Sequence, residues 1–128
     1  MIGIDTNHLL RVFVERDHIH SRYVKKLLEK QGTVFISTIV LCETIWTLET
    51  RYRFTKKELI RCLEYILKSQ HFVFEYRDAL WVAFKDFQHI STGFSDCVIG
   101  AVGKACGCDY IATFDKKAAK SKLFKLTK

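Results

Sequence analysis

Four carboxylates stand at positions of the chain where they could carry out chemistry together. Asp5 follows a short apolar segment at residues 1–4, and Asp115 follows another at residues 110–114. Asp96 opens a helical segment after a loop, and Glu43 lies in the first turns of the helix after a second strand. In an open parallel sheet, ligands bind beyond the carboxyl ends of the strands. We therefore expect all four acids to lie along one edge of the sheet.

Each acid also has a purely structural interpretation. Asp5, Asp96 and Asp115 all stand where an aspartate commonly caps the first turn of a helix. Glu43 falls on the polar side of its helix, where a glutamate is ordinarily solvated. The spacing leaves both interpretations open for each residue taken alone.

The combination of the four acids favours chemistry over capping. Two carboxylates about 4 Å apart repel by ~1 kcal/mol in water and by ~4 kcal/mol at an effective dielectric of 20. A cluster of four therefore needs protons or a cation, and oxygen ligands select a hard ion such as Mg²⁺ or Mn²⁺. Such ions activate water and stabilise the charge that develops on a phosphodiester.

The positive charge of the chain is concentrated at one end. The formal net charge is +7, and residues 104–128 hold seven lysines against two aspartates, which is +5. We call residues 104–128 the lysine-rich segment. A localised basic segment favours a polyanionic partner, although a solvated surface explains it equally well. Lys116, Lys117 and Lys120 follow Asp115 directly and are the best candidates for contacts with the backbone of such a polyanion.

Strands and helices alternate along the chain, which predicts a mostly parallel sheet with helices on both faces. With 128 residues, the chain has the length of one domain. The fold class is therefore α/β, a single three-layer domain over residues 1–128. Strands are predicted at 1–4, 33–36, 71–76, 110–114 and 123–126, and helices around 9–14, 23–28, 38–52, 55–67, 79–87 and 96–106.

Several classes of protein are excluded by the composition. No apolar stretch approaches the ~18 residues that a membrane span needs, and residues 1–7 lack the pattern of a signal peptide. The odd number of cysteines, five, favours reduced thiols and a cytoplasmic location. The phosphate-loop and dinucleotide-binding motifs are absent from the sequence.

Four ordered motifs resemble one known family. I-D-T-N at 4–7, L-C-E-T-I-W-T-L at 41–48, F-S-D-C-V-I-G-A at 94–101 and Y-I-A-T-F-D at 110–115 are similar to motifs of the PIN-domain ribonucleases. More narrowly, they resemble the single-domain VapC-type toxins of type II toxin–antitoxin systems. The match covers essentially the whole chain. Cys97, after Asp96, stands where the family usually has a small residue.

The resemblance implies a metal-dependent endoribonuclease that hydrolyses phosphodiester bonds of RNA. The matching acids are expected to hold Mg²⁺ or Mn²⁺ and to position the attacking water. Asp5 and Asp96 would be the principal direct ligands, with Asp115 and Glu43 acting directly or through water. Family members are commonly homodimers that a cognate antitoxin holds inactive. Residues expected beside the ligands are Thr113, Thr6 and Asn7.

Two other functions compete with this one. A non-catalytic PIN-like module would bind RNA or protein without cleaving it. A haloacid-dehalogenase-like phosphatase also has an Asp after its first strand, but it expects a second Asp where this chain has Asn7. Among other side chains, Trp46 and Trp81 have apolar neighbours, which predicts that both belong to the core. His8 is expected to be a solvated histidine.

Overall fold

The computed structural model describes residues 1–14 and 18–128, with residues 18–21 described by their backbone alone. These residues fall into two compact units, Met1–Glu75 and Tyr76–Lys128. The first unit contains β1 (Ile2–Gly3), α1 (Thr6–Phe13), α2 (His18–Gln31), β2 (Val34–Ile36), α3 (Thr38–Thr50), α4 (Lys56–Lys68) and β3 (Phe72–Phe74). The second contains α5 (Arg77–His89), α6 (Phe94–Ala105), β4 (Ile111–Thr113), a 3₁₀ turn (Ala118–Lys120) and β5 (Phe124–Leu126).

The first unit has a three-stranded parallel sheet in the order β1–β2–β3. Ile2 pairs with Val34, and Val34 pairs with Phe72 on its other side. The central strand is buried at Val34 and Ile36, as expected for a strand that helices cover. The helices bury leucines and isoleucines at three- to four-residue spacing, which forms the core of this unit: Leu9, Leu41, Leu48, Leu59, Leu63 and Ile66.

Local signals in the sequence set where the helices begin and end. Ser37 caps α3, because its hydroxyl accepts a hydrogen bond from the Val40 amide at 3.2 Å. Thr55 and Glu58 form the predicted capping box at the start of α4. Gly32 follows α2 with a φ of +75°, a conformation that favours glycine.

The second unit packs α6 against a parallel pair, β4–β5. A β-carbon added at Gly100 would lie 2.6 Å from the Phe124 ring, and one added at Gly103 would collide with Ile111. The glycines therefore allow the helix to approach both strands closely, as the small-residue pattern predicts. Gly107, with a φ of +98°, follows the end of the helix.

The α/β fold class is confirmed: helices alternate with strands, and all three strand pairings described here are parallel. The observed strands are one to three residues shorter than predicted. No helix among the described residues is both long enough and apolar enough to cross a bilayer.

Candidate active site

Asp5 lies just beyond β1 and caps α1. Its Oδ1 accepts hydrogen bonds from the His8 amide at 3.0 Å and from His8 Nδ1 at 2.7 Å. The capping interpretation is therefore correct for Asp5. It does not exclude a second role, because the side chain is 68% exposed and Oδ2 takes part in neither bond.

The hydrogen bonds from His8 also change the pKa of the Asp5 carboxyl. The His8 side chain, followed by the His8 amide, lowers the pKa of the Asp5 carboxyl below its ordinary value. Donors that bond the carboxylate favour its ionised form, whereas partial burial opposes it to a lesser extent. Asp5 is therefore available as an anionic oxygen ligand at neutral pH.

Glu43 lies in the second turn of α3, on an exposed part of the helix. It lines a cleft of about 520 Å³ together with Thr6 and Asn7 of α1. Asn7 also lines a second cleft, of about 660 Å³, with Asp5 and His8. The packing of α1 against α3 thus brings Glu43 alongside two of the polar residues predicted to assist it, and Asn7 is shared with Asp5.

Glu75, which the sequence did not single out, helps to fix the start of α3. It follows β3, and its Oε1 accepts a hydrogen bond from the Thr38 amide at 2.8 Å. This bond links Thr38, the first residue of α3, to the carboxyl end of β3, which pairs with β2. Thr38 lies five residues before Glu43 in the same helix. The signal available in the sequence was an acid directly after an apolar strand, as at Asp5.

Asp96 belongs to the first turn of α6, but it is not the N-cap. Gly93 occupies the cap position and no side chain caps this helix, so the capping interpretation is wrong for Asp96. Its Oδ2 instead accepts a hydrogen bond at 2.9 Å from the hydroxyl of Thr92, which is buried. A buried donor holds the carboxylate in one orientation, and Oδ1 is not used in that bond.

Asp115 lies just beyond β4, separated from it by Phe114, and its hydrogen bonds stabilise a tight turn. Its Oδ1 accepts a hydrogen bond from the Lys117 amide at 2.8 Å, and its own amide donates to Thr113 Oγ1 at 3.0 Å. Thr113 therefore contacts the backbone of Asp115. Lys116, Lys117 and Lys120 are all exposed around this turn.

The donors have the chemistry that a hard divalent cation requires. Asp5 and Glu43 belong to the first unit, and Asp96 and Asp115 belong to the second. Within residues 1–14 and 18–128, no group of three or more His, Cys, Asp or Glu side chains lies close enough to hold a metal ion. All four candidates are carboxylates, the ligands that Mg²⁺ and Mn²⁺ prefer, so the residues fit such an ion.

The prediction that Trp46 belongs to the core is wrong. Its side chain is 62% exposed on α3, and Ile39 is exposed two turns earlier. Because α3 also carries the buried residues Leu41, Ile45 and Leu48, it is apolar on more than one side, and periodicity does not identify the buried one. Trp81 is half-buried, with its ring edge-to-face against Phe84 at 5.8 Å.

The fold is α/β, and in each unit one aspartate, Asp5 or Asp115, lies just beyond the end of a parallel strand. The family model for the PIN domain matches residues 2–122, so the chain belongs to the PIN domain family. This membership indicates nuclease activity on RNA, and PIN nucleases generally use divalent metal ions. No curated protein matches the chain significantly.

Proposed function

We propose that the protein is a metal-dependent endoribonuclease and the toxin of a type II toxin–antitoxin pair. It hydrolyses RNA phosphodiester bonds and uses Mg²⁺ or Mn²⁺. In this proposal it acts in the cytoplasm as a homodimer, and a cognate antitoxin holds it inactive. The observation that carries the proposal is the match of residues 2–122 to the PIN domain, with carboxylates at all four positions of the motifs.

The four acids have different roles as metal ligands in this proposal. Asp5 and Asp96 are the principal ligands, and Asp115 and Glu43 complete the set directly or through water. A bound Mg²⁺ or Mn²⁺ would activate water and stabilise negative charge on the phosphodiester.

The remaining residues orient these ligands and hold the substrate. His8 orients Asp5 through the 2.7 Å bond and lowers the pKa of its carboxyl. Thr92 orients Asp96 through a hydrogen bond of 2.9 Å. Asn7 and Thr6 supply polar groups beside Glu43. The exposed lysines after Asp115 attract the RNA backbone.

Cleavage of a labelled RNA by wild type, Asp5→Asn and Asp96→Asn tests the proposal. Asp78→Asn is the matched control, because Asp78 also lies in the first turn of a helix, α5. We expect cleavage to require Mg²⁺ or Mn²⁺ and to fall by more than about 100-fold in both site variants, beyond the typical effect of losing an outer partner of a ligand. Mn²⁺ binding, followed by electron paramagnetic resonance, should weaken in the same two variants and not in the control.

Undiminished cleavage in both site variants would refute the assignment. Tight RNA binding that persists in a chelator, with no cleavage under any condition, would instead favour the non-catalytic RNA-binding module. The toxin role is tested by inducing the protein in cells and mapping new RNA 5′ ends. The ends should appear with wild type and disappear with Asp5→Asn.

A further inference from the structure

The β4–β5 pair has one face packed against α6. Ile111 lies against Gly103, and Phe124 lies against Gly100. Because successive side chains of a strand point to opposite faces, the residues that alternate with Ile111 and Phe124 point away from α6. This leaves a second face of the pair whose composition is unusual for a surface.

The second face carries two exposed aromatic side chains and a lysine. Ala112 pairs in register with Lys125, and residues directly opposite one another share a face. Tyr110 precedes Ala112 by two residues and shares this side with Lys125, whose ammonium lies over the Tyr110 ring. Phe114 is the first residue after β4 and is exposed there. We call Tyr110, Ala112, Phe114 and Lys125 the outer face. Every one of them is exposed.

Phe114 is the most exposed large apolar residue described, at 84%. Its backbone is nevertheless well held, because both of its neighbours are hydrogen-bonded. Thr113 accepts from the Thr127 amide at 2.7 Å, and Asp115 donates to Thr113 Oγ1 at 3.0 Å. A phenyl ring presented to solvent from a fixed turn loses little conformational freedom when a flat partner covers it.

The other aromatic of the outer face already has a cation beside it. Lys125 Nζ lies 5.2 Å from the centre of the Tyr110 ring, within the range of a cation–π contact. Ala112, between the two aromatics along the strand, is too small to cover either ring. Exposed aromatic rings beside positive charge are typical of surfaces that bind single-stranded nucleic acid, where bases stack on the rings.

We propose that the outer face stacks unpaired bases of single-stranded RNA, one on Phe114 and another on Tyr110. Lys125 and the exposed lysines after Asp115 then contact the flanking phosphates. The charge of the lysine-rich segment, +5, favours this polyanion over a protein partner. The inference rests on the proposed function, because it places the substrate beside Asp115, and it adds what the substrate must offer: exposed bases.

Binding to a short single-stranded RNA with 2′-O-methyl ribose, which resists cleavage, tests the inference. The comparison oligomer has the same length and charge but no bases. We expect Phe114→Ala to weaken binding to the base-bearing RNA by roughly 5- to 100-fold and to leave the abasic oligomer unaffected. Phe114→Leu keeps an apolar side chain without a π-face and should remain weak, whereas Phe114→Trp should restore binding.

Two controls separate stacking from other effects. Val82→Ala removes an exposed apolar side chain from α5, which contributes no residue to the outer face, and should bind both oligomers as wild type does. The additional tryptophan of Phe114→Trp should lose fluorescence with the base-bearing RNA and not with the abasic oligomer, measured as the difference from wild type.

The inference is overturned if Phe114→Ala binds both oligomers as wild type does, if it weakens both equally, or if Phe114→Leu binds normally. A change of oligomeric state with unchanged RNA binding would assign Phe114 to a contact with a second copy of the chain. If wild type binds and cleaves RNA but Phe114→Ala binds normally, only this inference fails. If wild type binds RNA through Phe114 without cleaving it, the proposed catalysis fails and the stacking surface remains.

Discussion

Two turns of the molecule have the same local pattern and different surroundings. In each, a parallel strand is followed by one apolar residue and then by an aspartate whose Oδ1 accepts a hydrogen bond from a later amide: Ile4 and Asp5 after β1, Phe114 and Asp115 after β4. Ile4 is 7% exposed, whereas Phe114 is 84% exposed. The same pattern therefore anchors a core residue in one unit and presents an aromatic ring to solvent in the other.

The chain beyond each aspartate differs in a related way. After Asp5, α1 continues for eight residues and buries Leu9 and Leu10. After Asp115, a three-residue 3₁₀ turn buries Ala118 and is surrounded by lysines. The first turn is thus supported by packing, and the second combines a small core contact with a cationic surface. We conclude that the same pattern of strand, apolar residue and aspartate does not fix what a turn presents to solvent, because its neighbours decide which side chains are buried.

Among three further variants of these two turns, the largest effect is expected from removing charge beside the second turn. We combine three substitutions in one variant: Lys116→Gln, Lys117→Gln and Lys120→Gln. Its RNA affinity should fall at least about tenfold at low salt. The slope of log affinity against log salt should decrease by about 2, since each phosphate contact contributes roughly 0.7. Binding is measured by fluorescence anisotropy over a range of salt concentrations.

A triple variant of the first unit, Lys26→Gln, Lys30→Gln and Lys57→Gln, is the matched control because its net charge is the same. If it lowers the slope equally, total charge and not the second turn governs binding. An unchanged slope in the first triple variant would show that Lys116, Lys117 and Lys120 are ordinary surface charges that do not contact the RNA.

A smaller effect is expected from Thr113, which has no counterpart in the first turn because Gly3 stands two residues before Asp5. Thr113→Val removes the oxygen that accepts from the Asp115 amide at 3.0 Å. The free energy of unfolding should fall by about 1 kcal/mol, measured by urea denaturation. Thr113→Ser keeps the hydroxyl and should lose clearly less. Equal losses in the two variants would show that the hydroxyl contributes no more than the methyl group that Thr113→Ser removes.

The smallest effect is expected at the first turn, in His8→Ala. The His8 side chain lowers the pKa of Asp5, so its removal should raise that pKa toward 3.8, the ordinary value. A lowered folded-state pKa stabilises the protein above the unfolded pKa, and this stabilisation is lost as the pH falls through the folded pKa. The variant should therefore be slightly less stable than wild type above about pH 4, and the difference should vanish in stronger acid.

The measurement is an NMR titration of the Asp5 carboxyl in metal-free protein, combined with unfolding at several pH values. His89→Ala, in which an exposed histidine at the end of α5 is removed, should leave the Asp5 titration where it is in wild type. An Asp5 pKa that does not move in His8→Ala would show that His8 does not lower the pKa of this carboxyl.

Much of the fold could be predicted because its signals are local. The capping box at Thr55 and Glu58, the cap at Ser37 and the glycines after α2 and α6 act within a few residues, so their patterns survive in the sequence. The apolar segments predicted all five strands for the same reason. For the candidate site, the sequence supplied the four acids and their order, and it identified Thr113 through the family resemblance.

Other features depended on contacts between distant residues. Glu75 and Thr38 are 37 positions apart, and only the pairing of β2 with β3 brings the carboxylate to the start of α3. Trp46 was predicted to be buried from its apolar neighbours, yet it is exposed. The prediction failed because apolarity does not say which side of a helix meets the core.

The sequence by itself determined the alternation of strands and helices, the helix caps and the identity of the acids, because each depends on residue types at short spacing. Only the tertiary structure decided that Ile4 is buried and Phe114 exposed. It also decided that Asp96 accepts a hydrogen bond from the Thr92 hydroxyl and does not cap α6. The physical reason is that burial and side-chain partners depend on which surfaces the folded backbone brings together, and one local pattern is compatible with several answers.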